Sequence, residues 1–314
     1  MTRSSLLPRF ALWALIGAGF AVPSSATSRV PPPPPPLHVD CRGDATAGPT
    51  VILEAGAFGT SADWDLVLDD LAADGRACAF DRAGLGDSPP RPGDKDVLTK
   101  AGEINSLLEQ IGATAPVILV GHSNGALYIE AFAALWPDRV AGLVFVNGVG
   151  SDDLDSPLAL ADLRTERRLA DLSVTAGRLG LGGAVADILS RDMDLPGPAS
   201  RRKRAGLACL PCLKVARDED RLIVPGLEAT RRLGPVTPTI PVVVIEGSLR
   251  PKAPLAAAWR AAEIAPAARA ERSWILDMPG ATHVSPLTRD RAYVKAAVSW
   301  LRSLSRSPGA DVGQ

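Results

Sequence analysis

Residues 121–125 read Gly-His-Ser-Asn-Gly, a G-x-S-x-G pentapeptide. A bare match of this form arises by chance in a glycine-rich chain, and this one holds 29 glycines. Its setting makes it informative. The apolar run 117–120 (VILV) precedes it directly, and a helical pattern over 126–136 follows it directly. A serine on so tight a strand-to-helix turn is forced into a strained backbone conformation, with its hydroxyl facing a cleft. Gly121 and Gly125 suit a turn in which side chains would strike neighbouring backbone. The helix start aims its dipole and free N–H groups at the same point. Such a serine does nucleophilic chemistry, and a hydroxyl needs a base for that because it is weakly nucleophilic at its own pKa. The histidines are three: His38, His122 and His283. His122 adjoins Ser123 and is expected to point elsewhere along the turn. The bland alternative is a serine that merely caps a helix.

Elements must hold these residues in place. Short apolar, β-rich runs recur at 50–53 (TVIL), 76–80 (RACAF), 117–120, 143–146 (LVFV), 242–245 (VVVI) and 274–276 (WIL). Continuous rather than alternating hydrophobicity indicates strands covered on both faces. Helical patterns lie between them: 64–73, with Ser61 and Asp63 as N-cap candidates, 99–111, 126–136 stopped by Pro137, and 291–304. The alternation predicts an α/β fold with a doubly wound, mostly parallel sheet flanked by helices. Sheets of this kind place their sites beyond the carboxyl ends of the strands, where the serine falls.

Four short patterns in order give the chain a resemblance to the α/β-hydrolase superfamily, over about residues 37–304. Residues 121–125 resemble its nucleophile elbow. Residues 53–59 (LEAGAFG) resemble its oxyanion loop, 81–88 (DRAGLGDS) its glycine-rich turn, and 280–283 (GATH) the late loop that delivers the histidine. The resemblance implies that His283 is the general base and then the general acid. It implies an oxyanion hole from the backbone N–H groups of Ala57 and Asn124, with Phe58 as the neighbour if the register slips. The Asp81 turn reads as structural, Asp81 and Arg82 bracing loops. The third member of a triad is open: the position where the family keeps an aspartate is Arg250. Asp152 ranks first as the acid, Asn147 second and Glu246 third, while Asp277 sits on or just past a strand. The acid's alternative role is that of a solvated loop residue. Residues 151–238 exceed a plain connection and should form a helical cap over the cleft, with residues 38–150 and 239–304 as the core. The cap holds a largely helical stretch at 156–179 and the basic run 201–204, expected to be a solvated helix face.

The remaining composition sets limits. Lys and Arg total 34 against 35 Asp and Glu, and no imbalance asks for a nucleic-acid partner. The apolar run 10–22 follows Arg3 and Arg9 and precedes Ser24-Ser25-Ala26, which reads as a signal peptide cut near residue 26. Six prolines at 31–36 make a stiff spacer within a 27–37 linker, and 305–314 is expected to be a tail. Export implies an oxidising compartment, so the four cysteines read as disulfides. Cys41 and Cys78 would pair if their strands lie side by side. Cys209 and Cys212 (CLPC) would close a short loop, with a thiol–disulfide role as the weaker reading. The expectation is an exported serine esterase acting on a small ester with an apolar group. It needs no metal or cofactor and keeps no stable membrane association once the signal is cut. The alternative is an inactive member that binds a small apolar ligand or a partner. A carboxylate-nucleophile chemistry is disfavoured by Ser123.

Overall fold

A computed structural model of the chain describes residues 34–91, 93, 95–247 and 255–306. The expected signal peptide lies outside the described residues, as does the chain beyond Arg306. Among the described residues no helix is long and apolar enough to cross a membrane.

The six apolar runs form six strands, and the half-buried segment VDCR ahead of them adds a seventh: β1 (Val39–Arg42), β2 (Val51–Glu54), β3 (Ala77–Phe80), β4 (Val117–His122), β5 (Val140–Val146), β6 (Val242–Glu246) and β7 (Ser273–Asp277). They lie in the order β1-β3-β2-β4-β5-β6-β7. Only β1 runs antiparallel to its neighbour, β3; the other pairings are parallel. The β1–β3 register sets Cys41 opposite Cys78, and the two are joined by a disulfide. The edge strand β7 departs from the expectation of cover on both faces, with Trp274 37% exposed. Among the described residues it has a partner strand, β6, on one side only.

Helices cover both faces, as the alternation predicts. On one side pack α1 (Asp65–Ala72) and α10 (Ala292–Arg306), which bury Val67, Leu68, Leu71, Val294, Val298 and Leu301 against the sheet. On the other pack α2 (Val97–Gln110), α3 (Asn124–Leu135) and α8 (Ile223–Leu233). Helix α3 is apolar nearly all round and buried from Asn124 to Ala133, as befits an element at the centre of the molecule. It ends just before Pro137, which cannot continue it. Helix α10 runs two residues past the expected end, to Arg306. Ser61 and Asp63 do not cap α1; both sit in a 3₁₀ turn before it, and Trp64 holds the N-cap position.

Between β5 and β6 lie five helices: α4 (Pro157–Arg178), α5 (Gly182–Leu189), α6 (Gly197–Ala208), α7 (Leu210–Arg221) and α8. Ser156 caps α4 by accepting a hydrogen bond from the Ala159 N–H. Cys209 and Cys212 are disulfide-bonded at the start of α7. From Pro35 onward the described residues form one compact unit, these helices included. The remaining helix, α9 (Leu255–Arg269), connects β6 to β7.

Candidate active site

Ser123 joins β4 to α3 with φ 52° and ψ −125°. A side chain at positive φ costs about 1–3 kcal/mol and persists only where the surroundings impose it. Here the Ser123 N–H donates to the Val146 carbonyl at 3.1 Å, while its own carbonyl accepts from the N–H groups of Ala126 and Val149, both at 3.0 Å. The flanking glycines are required by close approach. A Cβ at Gly121 would lie 2.7 Å from Ala126 Cα, and one at Gly125 would lie 2.6 Å from the Glu54 carbonyl oxygen. Asn124 follows as the first residue of α3, where N–H groups have no partner within the helix.

His283 arrives on the loop after β7, and its main chain is pinned to the elbow. Its carbonyl accepts from His122 Nε2 at 2.9 Å and from Asn147 Nδ2 at 3.0 Å. The two imidazoles pack against each other, with centroids 4.7 Å apart. His122 therefore does not point elsewhere: it donates Nε2–H to the histidine loop and faces the same cleft. Trp64 meets the His122 ring edge-on. Burial pushes the His283 imidazole down to about 4. Burial, with the neighbouring His283, takes His122 down to about 3. Both rings are neutral at pH 7, and a neutral imidazole can accept a proton. Ser123 and His283 line one cavity of about 210 Å³, together with Gly56, Ala57 and Phe58. A larger hollow of about 440 Å³, lined by Thr50, Pro116 and Ala141 at the amino ends of the strands, holds none of the candidate residues.

The loop after β2 is clamped from below. Arg82, 2% exposed, donates to the carbonyls of Ala55 and Gly56 at 2.7 and 2.9 Å, to Glu54 at 2.7 Å and to Glu219 of α7 at 2.9 Å. Lys100 completes the buried network with bonds to Glu219 and Glu103. Burial alone would raise the Glu219 carboxyl, but Arg82 and Lys100 outweigh it and hold it below the ordinary carboxylate range. Asp81 accepts from the N–H groups of Ser61 and Asp87. Asp81 and Arg82 are thus engaged in bracing loops. Phe58 sits at φ 55° and packs on α4, α5 and α7 side chains. Among the described residues no hydrogen bond takes the Ala57 N–H.

The acid candidates are placed as follows. Asp152 binds Arg269 through both carboxylate oxygens, at 2.8 and 2.7 Å, and does not hydrogen-bond the His283 ring. The expectation that it orients the histidine is not met, because its carboxylate is committed to a guanidinium at the protein surface. Asn147, at φ 42°, holds the His283 carbonyl with its Nδ2 and accepts the Gly247 N–H with its Oδ1. It positions the loop through the main chain rather than through the ring. Glu246 is buried at the end of β6, in register with Asp277 and 3.8 Å from Arg260. Arg250 lies outside the described residues.

Three charged residues of the cleft carry no local sequence signal that would place them there. Lys203 belongs to the basic run expected to face solvent, yet it is 4% exposed. It donates to Asp63 at 2.7 Å and to the Phe58 carbonyl at 3.0 Å, tying α6 to the loop after β2. Glu166 of α4 and Asp220 of α7 also line the cavity. Asp220 accepts from Asn124 Nδ2 at 3.0 Å. Its neighbours Asp218 and Glu219 are equally acidic, and no local pattern marks which of them turns inward. Among the described residues one group could hold a metal by spacing: His38, Asp81 and Asp87, with ligand atoms within 4.8 Å of one another. Asp81 already accepts two backbone N–H groups there, and none of the three lines the Ser123 cavity.

Comparison with known proteins bears on the family and the fold. The model of the alpha/beta hydrolase family matches residues 51–297. An AB hydrolase superfamily protein of Gibberella zeae is 35% identical over 107 residues, which is 32% of this chain and 32% of that protein. The chain spans less than a third of that relative's length. Among solved structures, a thermophilic esterase from Thermogutta terrifontis superposes with a TM-score of 0.63 at 22% identity, covering 86% of this chain and 94% of that one. A carboxylesterase structure from Nitrososphaera gargenis gives 0.62 at 16% identity, covering 86% and 95%. At these identities the structures share the fold.

Proposed function

The chain belongs to the alpha/beta hydrolase family, and from that premise we propose that it is an exported serine hydrolase that cleaves carboxylic esters through an acyl-enzyme. The observation that carries the reading is Ser123 held at positive φ in one cavity with the neutral His283 imidazole. The Ser123 oxygen attacks the ester carbonyl carbon while a His283 ring nitrogen takes its proton. The Ala57 and Asn124 N–H groups receive the charge that develops on the carbonyl oxygen. The imidazolium then protonates the departing alkoxide, leaving the acyl group on Ser123. Water attacks the acyl carbon, its proton passes to His283, and the acid departs as Ser123 regains a proton. The pinned main chain of His283 favours a fixed approach of the ring.

Helices α4 to α7 act as the cap. Leu169, Leu189, Met193 and Leu207 contribute apolar surface to the cavity, which suits a small ester with an apolar group. The signal-like start and the paired cysteines favour export.

A fluorophosphonate probe tests the reading. Wild type should label at Ser123, and Ser123→Ala should not label. A second reading, a non-catalytic ligand-binding protein, draws on the weak basicity of an imidazole depressed to about 4. Absence of labelling in folded wild type would favour it.

A further inference from the structure

The lining of the cleft holds more acidic groups than basic ones. Four charged side chains line the Ser123 cavity: Asp63, Lys203, Glu166 and Asp220. Lys203 pairs with Asp63, so these two cancel. The histidines are neutral. Arg82, whose charge also acts on Asp220, is already bonded to Glu54 and Glu219. Glu166 and Asp220 remain, contributed by two different cap helices, and neither forms an ion pair among the described residues. Asp220 is 7% exposed. One of its oxygens accepts from Asn124; the other, Oδ2, is buried without a hydrogen-bond partner. An unpartnered buried carboxyl oxygen is costly, about 1–3 kcal/mol and more for a charged group, and it persists where something else satisfies it.

We infer that the cleft takes an ester bearing a basic amine or quaternary ammonium group, which Asp220 and Glu166 hold beside the Ser123 hydroxyl. The inference rests on the serine-hydrolase reading for its catalytic half and on the cavity itself for its binding half. Burial, then Glu166 and Glu219, push the Asp220 carboxyl up to about 8, and burial takes Glu166 up to about 7. A cation between them relieves the repulsion that a proton relieves in the empty cleft. The apolar walls supplied by Leu169, Leu189 and Met193 match the methyl or methylene shell of an alkylated ammonium. Asp220 also bonds the side chain of Asn124, the residue whose N–H serves the oxyanion, so a bound cation sits one residue from the chemistry.

The test compares two butyrate esters of equal shape, one of choline and one of 3,3-dimethylbutanol, whose quaternary carbon replaces the charged nitrogen. Wild type should favour the choline ester by roughly tenfold or more in kcat/KM, and Glu166→Gln and Asp220→Asn should each collapse that ratio toward one. Equal turnover of the two esters by wild type overturns the inference and leaves the hydrolase reading standing. If neither ester turns over and the fluorophosphonate fails to label, the hydrolase reading falls, and calorimetry with tetraethylammonium decides the binding half. Binding that is lost in Glu166→Gln supports the site, and no binding to wild type overturns it. Should Asp220→Asn fail to fold, the half-buried Glu166→Gln decides alone.

Discussion

Glu219→Gln probes whether the buried ion network under the cleft links cap, core and oxyanion loop. Glu219 is 2% exposed and receives Arg82 at 2.9 Å and Lys100 at 3.0 Å. Removing one partner of a buried pair costs about 3–5 kcal/mol, because the opposing charge stays buried. Glutamine still accepts one hydrogen bond, which places the expected loss near the lower end, at about 3 kcal/mol, or roughly a hundredfold in the folding equilibrium. With a urea slope of about 3 kcal/mol per molar, the unfolding midpoint should fall by about 1 M. The same Arg82 holds the Ala55 and Gly56 carbonyls, so the Ala57 N–H loses some of its fixed direction. Loss of a whole oxyanion donor costs about 10²–10³ in kcat, and a loosened one should cost about tenfold. Urea titration followed by circular dichroism and ester turnover well below the midpoint measure the two effects separately. A stability loss under about 1 kcal/mol would show that the network is not stabilising. A full stability loss with kcat unchanged would refute the coupling to the oxyanion loop.

Four further outcomes are expected. Asp152→Asn should change kcat/KM by less than about tenfold, since its carboxylate serves Arg269; a drop of order 10⁴ would instead make it the orienting acid. The acid limb of kcat/KM should bend near pH 4, where the buried His283 takes a proton, rather than near the ordinary histidine value of about 6.5. In stability, this depressed imidazole makes its full contribution above pH of about 6.5 and loses it progressively as pH falls toward 4, because the unfolded chain binds the proton first. His283→Gln should make that part of the urea-midpoint profile shallower, leaving the share of His122, which burial takes down to about 3. Removing the Cys41–Cys78 bridge, whose cysteines are 37 residues apart, should cost about 4 kcal/mol by loop-closure entropy, read as a lower urea midpoint in Cys41→Ala/Cys78→Ala.

Local sequence determined the strands and helices of the core because each carries its own signal. The runs TVIL, VILV and VVVI are continuous and β-branched, and Pro137 and Ser156 mark helix ends with fixed backbone chemistry. The Ser123 elbow was equally readable, since a strand, two glycines and a helix meet within a few residues and only one backbone path joins them. The pairing of Cys41 with Cys78 needed only two adjacent strands. Tertiary structure alone decided how the late loop meets the elbow, with His122 and Asn147 both holding the His283 carbonyl across more than a hundred residues. It alone turned Lys203, Glu166 and Asp220 into the cleft and sent Asp152 to Arg269. A charged residue on a helix reads the same in sequence whether it faces water or a buried partner. Its direction is set by the packing of whole helices and by the electrostatic requirement that a buried charge find an opposite one.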